Sequence, residues 1–517
     1  MKFLFRIFSA AAVAASVLCG CRGPQSDTLV ILHTNDTHSQ LLPGRDGLGG
    51  VQRRKAVIDS IRAAEKNVLL VDAGDVVQGT LFFYLYGGKV EQEVLNILGV
   101  EERILGNHEF DNGVDSLAAV LRLSDSEFLA TNYNLDRTPM ADLFQPYAVK
   151  EYSGKKIGII GINLNPDGIV AKGNYEGVEF LPIVATANLA AEKLRREQGV
   201  DAVIALTHIG YNPSGLEGDS VLACNSRGID VIIGGHSHDV IDPATAKGER
   251  RSRMTNLDGK PVLVVQTGKA GRNLGKIELN LDSLGTAYPQ YELIPVDARY
   301  DGRTDERLAR VLAHYSAGVD SLMTDWIGTT ERALPASDPE LLNFFADYVL
   351  DRAGEISPDV DLSIVNKGGL RTDIPEGRFS KGHIINLLPF RNFVQIIDVK
   401  GADLASVFDV MAMTDGNGVS RNVSAKYRGN GGTAVATNVL INGKPIDMTK
   451  TYRVATIDYL ANGGDYMTGL TRGTKVGHSD RLIYDDLIYY FTEGKGKDKP
   501  LTGDPAPRWS AASENEK

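Results

Sequence analysis

Cysteine is scarce in this chain. Three occur in 517 residues, and two of them, Cys19 and Cys21, stand within the first 21 positions. The one left in the body, Cys224, excludes a disulfide framework and is expected as a small buried hydrophobe. Positive charge is also in short supply: 55 Lys and Arg against 66 Asp and Glu leave a net charge of −11. Nucleic-acid polymers are gripped through a basic face, so the balance argues against one as partner, though not against a small anion held by metal ions in a cleft. No internal repeat is present. With 43% hydrophobic and 23% charged residues the chain is not a disordered one, and its length calls for two domains.

What is present begins with the amino terminus. Lys2 and Arg6 precede an apolar stretch from about Ile7 to Leu18, too short to span a bilayer comfortably and placed as an export signal. Leu18-Cys19-Gly20-Cys21 resembles the lipobox of bacterial lipoproteins, which implies acylation of Cys21 and cleavage before it. The mature chain is then expected to be lipid-anchored to a membrane of the cell envelope, outside the cytoplasm, through a short tether.

From Thr28 onward, continuous apolar runs alternate with helical patterns. Leu29–Leu32, Val68–Val71, Ile157–Ile162, Ala202–Leu206 and Ile229–Ile233 read as strands buried on both faces, with Pro261–Val265 and Leu274–Leu281 closing the domain. Val51, Val57, Ile58 and Ile61 share one helical face, as do Val90, Val94, Leu95 and Leu98 ahead of Gly99. An α/β layered domain follows. The expected division is 1–21 signal, 22–27 tether, 28–300 catalytic domain, 301–325 linking helix, 326–509 substrate domain and 510–517 tail.

Five polar blocks sit at the ends of these strands: Asp36-Thr37-His38, Asp72-Ala73-Gly74-Asp75, Asn107-His108-Glu109-Phe110-Asp111, Thr207-His208 and His236-Ser237-His238. One histidine alone is more often a hydrogen-bonded loop residue than a ligand. Five of nine, all in the strand-end positions where α/β sheets place their sites, supply ligands for two divalent cations. In extended backbone, residues i and i+2 project together, so Asp36 with His38 and His236 with His238 are each expected to present a ligand pair. Asp75 is suited to bridging, and Asn107 offers an amide oxygen.

The order and spelling of these blocks are similar to the binuclear metallophosphatase superfamily, and Asn35-Asp36-Thr37-His38 to its 5'-nucleotidase branch. Asn366-x-Gly-Gly-x-Arg371, Leu388-Pro389-Phe390 and Asn462-Gly463-Gly464-Asp465 resemble that branch's carboxyl-terminal domain. The resemblance implies a four-layer αββα metallophosphatase domain followed by an α+β substrate-binding domain. It implies that Asp36, His38, Asp75 and His238 hold one metal and that Asp75, Asn107, His208 and His236 hold the other. His108, oriented by Asp111, would face the phosphoryl group. Arg371 and Asn366 would contact phosphate or ribose, Phe390 and Tyr459 would sandwich the base, and Asn392 and Asp465 would bond to base or ribose.

The expected activity is metal-assisted hydrolysis of extracytoplasmic nucleotides to nucleoside and phosphate, with Zn, Mn, Co or Fe as the ions. The alternatives are a 2',3'-cyclic-nucleotide phosphodiesterase, a nucleotide-sugar pyrophosphatase or a thiosulfohydrolase, and, outside catalysis, a nucleotide-binding lipoprotein. One departure stands out: where the family commonly carries a further Arg before the helix beginning near Asn343, this chain reads Pro335-Ala336-Ser337-Asp338-Pro339-Glu340. Arg332 and Arg391 are the two candidates to replace it.

Overall fold

The computed structural model describes residues 27–212, 217–246, 250–414 and 417–512. The export signal, Cys21 and most of the tether lie outside the described residues.

The first domain is built on two sheets packed face to face. One runs in the order Gln290–Pro295, Asn273–Asn280, Thr28–Thr34, Asn67–Asp72, Glu102–Arg103, Glu127–Leu129, Phe144–Gln145. The other runs Val240–Ile241, Pro261–Thr267, Val231–Ile233, Ala202–His208, Lys155–Asn163, Tyr147–Tyr152. The strands from Thr28 to Gln145 pair in parallel, as do the four central strands of the second sheet.

The apolar runs explain this arrangement. Leu29, Ile31, Leu69, Ile157, Ile159, Ile204 and Leu206 fill the space between the sheets, while their alternate neighbours Val30, Leu32 and Leu70 on one side and Ile160, Val203 and Ala205 on the other lie under helices. Both faces of each central strand are therefore dry, which is why the sequence shows runs rather than alternation. Four layers, αββα, result.

Helix Glu306–Thr324 leaves this domain. Its start is set by Asp305, whose carboxylate accepts from the amides of Arg307 and Leu308. Leu308 and Tyr315 are buried in the core of the first domain, whereas Val319, Leu322 and Met323 also pack against that of the second. One helix thus joins two cores.

The second domain carries a five-stranded sheet, ordered Gly418–Val419, Leu362–Val365, Thr451–Ile457, Phe393–Lys400, Thr474–Leu482, and a four-stranded one that ends on Trp509–Ala511. Helix Pro339–Ile356 lies on the first of these, burying Leu341, Leu342, Phe345, Ala346 and Val349, a helical spacing. Its Pro339 occupies the first turn, where a missing N–H costs nothing.

Two expectations are corrected. Ser510 and Ala511 are not tail: they pair in parallel with Lys426 and Tyr427, anchored by Trp509, whose ring lies 6.0 Å from that of Phe408. Cys224 is exposed, because helix Asp219–Asn225 turns Asp219, Ser220, Leu222 and Ala223 inward and leaves Cys224 on the outer side.

Candidate active site

All five polar blocks meet at one edge, where the parallel strands Thr28–Thr34, Asn67–Asp72 and Glu102–Arg103 of one sheet and Ala202–His208 and Val231–Ile233 of the other come to their carboxyl ends. Three groups of potential ligands form there, each with its ligand atoms mutually within 4.8 Å: Asp36, His38 and His238; Asp75, His208 and His236; and His38, Asp75 and His108. Asp75 belongs to the last two of these groups, and His38 ties the first to them. Asp75 Oδ2 lies 3.1 Å from His208 Nε2 and 3.9 Å from His38 Nε2, while Oδ1 accepts from the His108 amide at 2.9 Å. Asn107 joins the second group, its Oδ1 being 2.8 Å from His236 Nδ1.

The expected reason for this convergence is wrong, although the convergence is real. Asp36, His38, His236 and His238 are not extended; their φ angles are 51°, 48°, 77° and 57°. Left-handed backbone at four non-glycine residues is strained, and it is held by the Asp36 and His38 amides donating to Gly74 and Asp75 carbonyls at 2.9 and 3.0 Å. The consequence is that His236 and His238 part company: His238 joins Asp36 and His38, with Nε2 of His238 2.9 Å from Nε2 of His38, and His236 joins Asp75 and His208.

The donor set fits a pair of cations. His208 bonds to the Ala73 carbonyl at 2.7 Å through Nδ1, which leaves Nε2 aimed into the cluster, buried and facing Asp75 Oδ2 at 3.1 Å. Two imidazole nitrogens 2.9 Å apart, with the one carboxylate oxygen Asp36 Oδ1 at 3.5 and 3.9 Å from them, form a set of lone pairs suited to a positive charge. Burial together with positively charged neighbours keeps His236 and His238 neutral, with pKa values pushed down to about 4 and about 3. For His208, burial would lower the pKa, but the carboxylates of Asp75 and Asp36 carry it up to about 10. Burial takes Asp36 up to about 7. Burial also works against ionised Asp75, yet His208 and His108 hold it well below the ordinary carboxylate range.

His108 and Asp111 are adjacent, with Nδ1 3.0 Å from Asp111 Oδ2. Burial opposes its protonation, but Asp111 and Asp75 outweigh it, so the His108 pKa is raised.

A cavity of about 870 Å³ runs from His108 and Asn107 into the second domain, lined there by Asn366, Arg371, Phe390, Asn392, Tyr459 and Asp465. These residues come from the edge of the five-stranded sheet: Asn366 follows Leu362–Val365, Asn392 precedes Phe393–Lys400, and Tyr459 follows Thr451–Ile457. The Phe390 ring stacks on His108 at 5.9 Å, and the Arg371 guanidinium lies 5.9 Å from the centre of the same ring. Tyr459 donates its hydroxyl to Asp465 at 2.9 Å, and Asn366 Nδ2 donates to the other Asp465 oxygen at 2.9 Å. Of the two substitute arginines, Arg391 lines this cavity, whereas Arg332 is paired with Glu340.

Two positioning residues were given no role by the sequence. Asn35 donates to Asp36 Oδ2 at 2.7 Å and to Gly268 O at 2.8 Å, fixing the carboxylate. Asp219, fully buried, accepts from Thr207 Oγ1 at 2.6 Å and Gln266 Nε2 at 2.7 Å, behind His208 and the Gly234–His238 turn.

A calcineurin-like phosphoesterase model matches residues 29–240, and a 5'-nucleotidase C-terminal domain model matches residues 317–472. The 5'-nucleotidase of Rattus norvegicus is 30% identical over 488 residues, covering 84% of this chain and 83% of that one. The chain belongs to the 5'-nucleotidase family. The trifunctional nucleotide phosphoesterase protein YfkN of Bacillus subtilis is 25% identical over 527 residues, covering 90% of this chain; the chain spans 33% of that longer protein. The crystal structure of a 5'-nucleotidase precursor from Thermus thermophilus superposes with a TM-score of 0.82 at 29% identity, covering 94% of this chain and 100% of that one. As a member of the 5'-nucleotidase family, this chain is a phosphoric ester hydrolase whose Asp and His clusters suit a binuclear metal centre.

Proposed function

We propose that the chain hydrolyses nucleoside monophosphates to nucleoside and inorganic phosphate outside the cytoplasm. The observation that carries this reading is the cavity that runs from Asn107 and His108, beside the ligand groups, to Arg371, Phe390 and Tyr459. A phosphoester bound there has its phosphate end and its flat end addressed by different domains.

In this reading Asp36, His38, Asp75 and His238 hold one divalent ion, and Asp75, Asn107, His208 and His236 hold the other. The ions when bound supply Lewis acidity toward the phosphoryl oxygens and lower the pKa of water. His108, whose pKa Asp111 and Asp75 raise against burial, donates to the phosphoryl or leaving oxygen. Arg371 offsets charge on the phosphate; its guanidinium lies against the Phe390 ring and makes no ion pair among the described residues. Phe390 and Tyr459 border the space for the base, and Asn366, Asn392 and Asp465 supply polar contacts to ribose and base. Cys21 is the proposed site of the lipid anchor, and the anchored face lies outside the cytoplasm; among the described residues no helix is long and apolar enough to cross a membrane.

The test is phosphate release from AMP, UMP, ADP, UDP-glucose and cyclic AMP isomers by purified protein stripped with chelator and reloaded with single metals. Release from AMP or UMP by the Mn, Co or Zn form supports the reading. Failure of every ion on every nucleotide ends it.

A further inference from the structure

We propose that Glu109 is a positioning residue that locks the bridging Asp75 against Asn107 and His108 and so sets the relation between the two metal positions. The proposal rests on the assignment of Asp75 and Asn107 as metal ligands given above.

Glu109 is buried, and its carboxylate is entirely occupied by backbone. Oε2 accepts from the amides of Asp75 at 3.0 Å and Gly106 at 2.6 Å, and Oε1 accepts from the amide of Val76 at 2.8 Å. Two of these amides belong to the loop that carries Asp75, and the third belongs to the loop that carries Asn107 and His108. The loops touch backbone to backbone: a Cβ on Gly74 would stand 2.6 Å from Gly106 N, and one on Gly106 would stand 2.2 Å from Asp75 Oδ1. Three N–H dipoles therefore converge on one dry point. Without an acceptor there they would repel each other and each would lack a partner, which costs more than the bonds themselves contribute.

A carboxylate meets this geometry, because it offers acceptor lone pairs on both oxygens, and bonds from amides to an anion are the strong ones. A glutamine would keep one acceptor oxygen but turn an NH₂ donor toward the N–H of Val76 or of the pair opposite. The loops would then separate at the point where Asp75 Oδ2 must face both ligand groups. An aspartate keeps the charge but is one methylene short, so it reaches one loop at a time.

Mn(II) is the probe, since two Mn(II) ions that share a bridging oxygen give a spin-coupled EPR spectrum and separated ones give the six-line spectrum of isolated ions. The full chain loaded with Mn(II) should show the coupled spectrum. E109Q should keep the circular dichroism of the parent, lose the coupled spectrum, bind one of the two ions about 10–100-fold more weakly, and lose kcat while KM for AMP is unchanged. A coupled spectrum and parental kcat in E109Q overturn the proposal. If E109Q does not fold, E109D decides: weakened coupling in a folded protein upholds the proposal, and parental coupling with parental kcat overturns it. Failure of the unsubstituted chain to bind two ions would instead remove the metal-ligand assignment beneath it, and is distinguished by appearing before any substitution.

Discussion

His108 and Asp111 face each other across one turn of the 3-10 helix His108–Asn112, with Nδ1 3.0 Å from Oδ2. The contact assigns Nδ1 to Asp111 and leaves Nε2 toward the cavity that both residues line. It also raises the His108 pKa against the pull of burial. If protonated His108 acts on the phosphoryl group, Asp111→Asn lowers that pKa. The alkaline limb of the kcat/KM profile should then move to lower pH, with the loss greater at pH 8 than at pH 6. His108→Ala should cost about 10²–10⁴-fold in kcat. A D111N profile that keeps its alkaline limb would separate His108 from the proton-donating role.

Metal loading should be visible as proton release. In the metal-free protein His208, with its pKa carried up to about 10 beside Asp75, holds a proton at neutral pH that it must lose to act as a ligand. Asp36, raised to about 7, is also partly protonated there. Ion binding at pH 7 should thus release at least one proton, and affinity should fall as pH falls through about 7. Calorimetry of Mn(II) binding in buffers of differing ionisation enthalpy measures the number. No buffer dependence would contradict the His208–Asp75 pairing.

Tyr459 has two contributions that the structure allows to be separated. Its ring borders the cavity, and its hydroxyl bonds to Asp465 at 2.9 Å and to the Ile169 carbonyl of the first domain at 3.2 Å. Tyr459→Ala should raise KM for AMP while sparing an aryl phosphate that has no base, by about 1–3 kcal/mol if stacking is the contribution. Tyr459→Phe keeps the ring and should leave most of that affinity in place. Equal losses for AMP and the aryl phosphate would count against stacking.

The fold and the gathering of the polar blocks were legible for a shared reason. Runs such as Leu29–Leu32 and Ala202–Leu206 can be buried on both faces only in a layered α/β domain, and polar residues directly after them must then lie at the strand ends. What was not legible is what depends on loop backbone. The split of His236 from His238 came from the family resemblance alone, and the left-handed φ angles that produce it are not announced by a Gly-His-Ser-His spelling. The outward turn of Cys224 depends on which side of a seven-residue helix meets the core. Asp219 lies eleven positions beyond His208 in no recognisable block, and only its contacts with Thr207 and Gln266 reveal its place.

The second domain poses the sharpest choice, between Arg332 and Arg391 as the replacement for an arginine absent before helix Pro339–Ile356. The first turn of that helix carries Glu340, and Arg332 is tied to it in a partly exposed ion pair. Such pairs contribute about 0–1 kcal/mol, so Arg332→Ala should leave KM for AMP unchanged and shift the melting temperature little. Arg391 stands on the cavity wall beside Phe390, near Tyr84 and Asp485, and its charge reaches the space a substrate would fill. Arg391→Ala should therefore raise KM for nucleotides, and more for ADP than for AMP, because a second phosphate extends the negative charge available to it. Arg371→Ala, which removes the guanidinium over Phe390, should raise KM for both alike. Steady-state kinetics on the three variants decide the matter: an R332A variant with the larger KM change would mean that the Arg332–Glu340 pair opens in the substrate complex and that Arg391 serves only the wall.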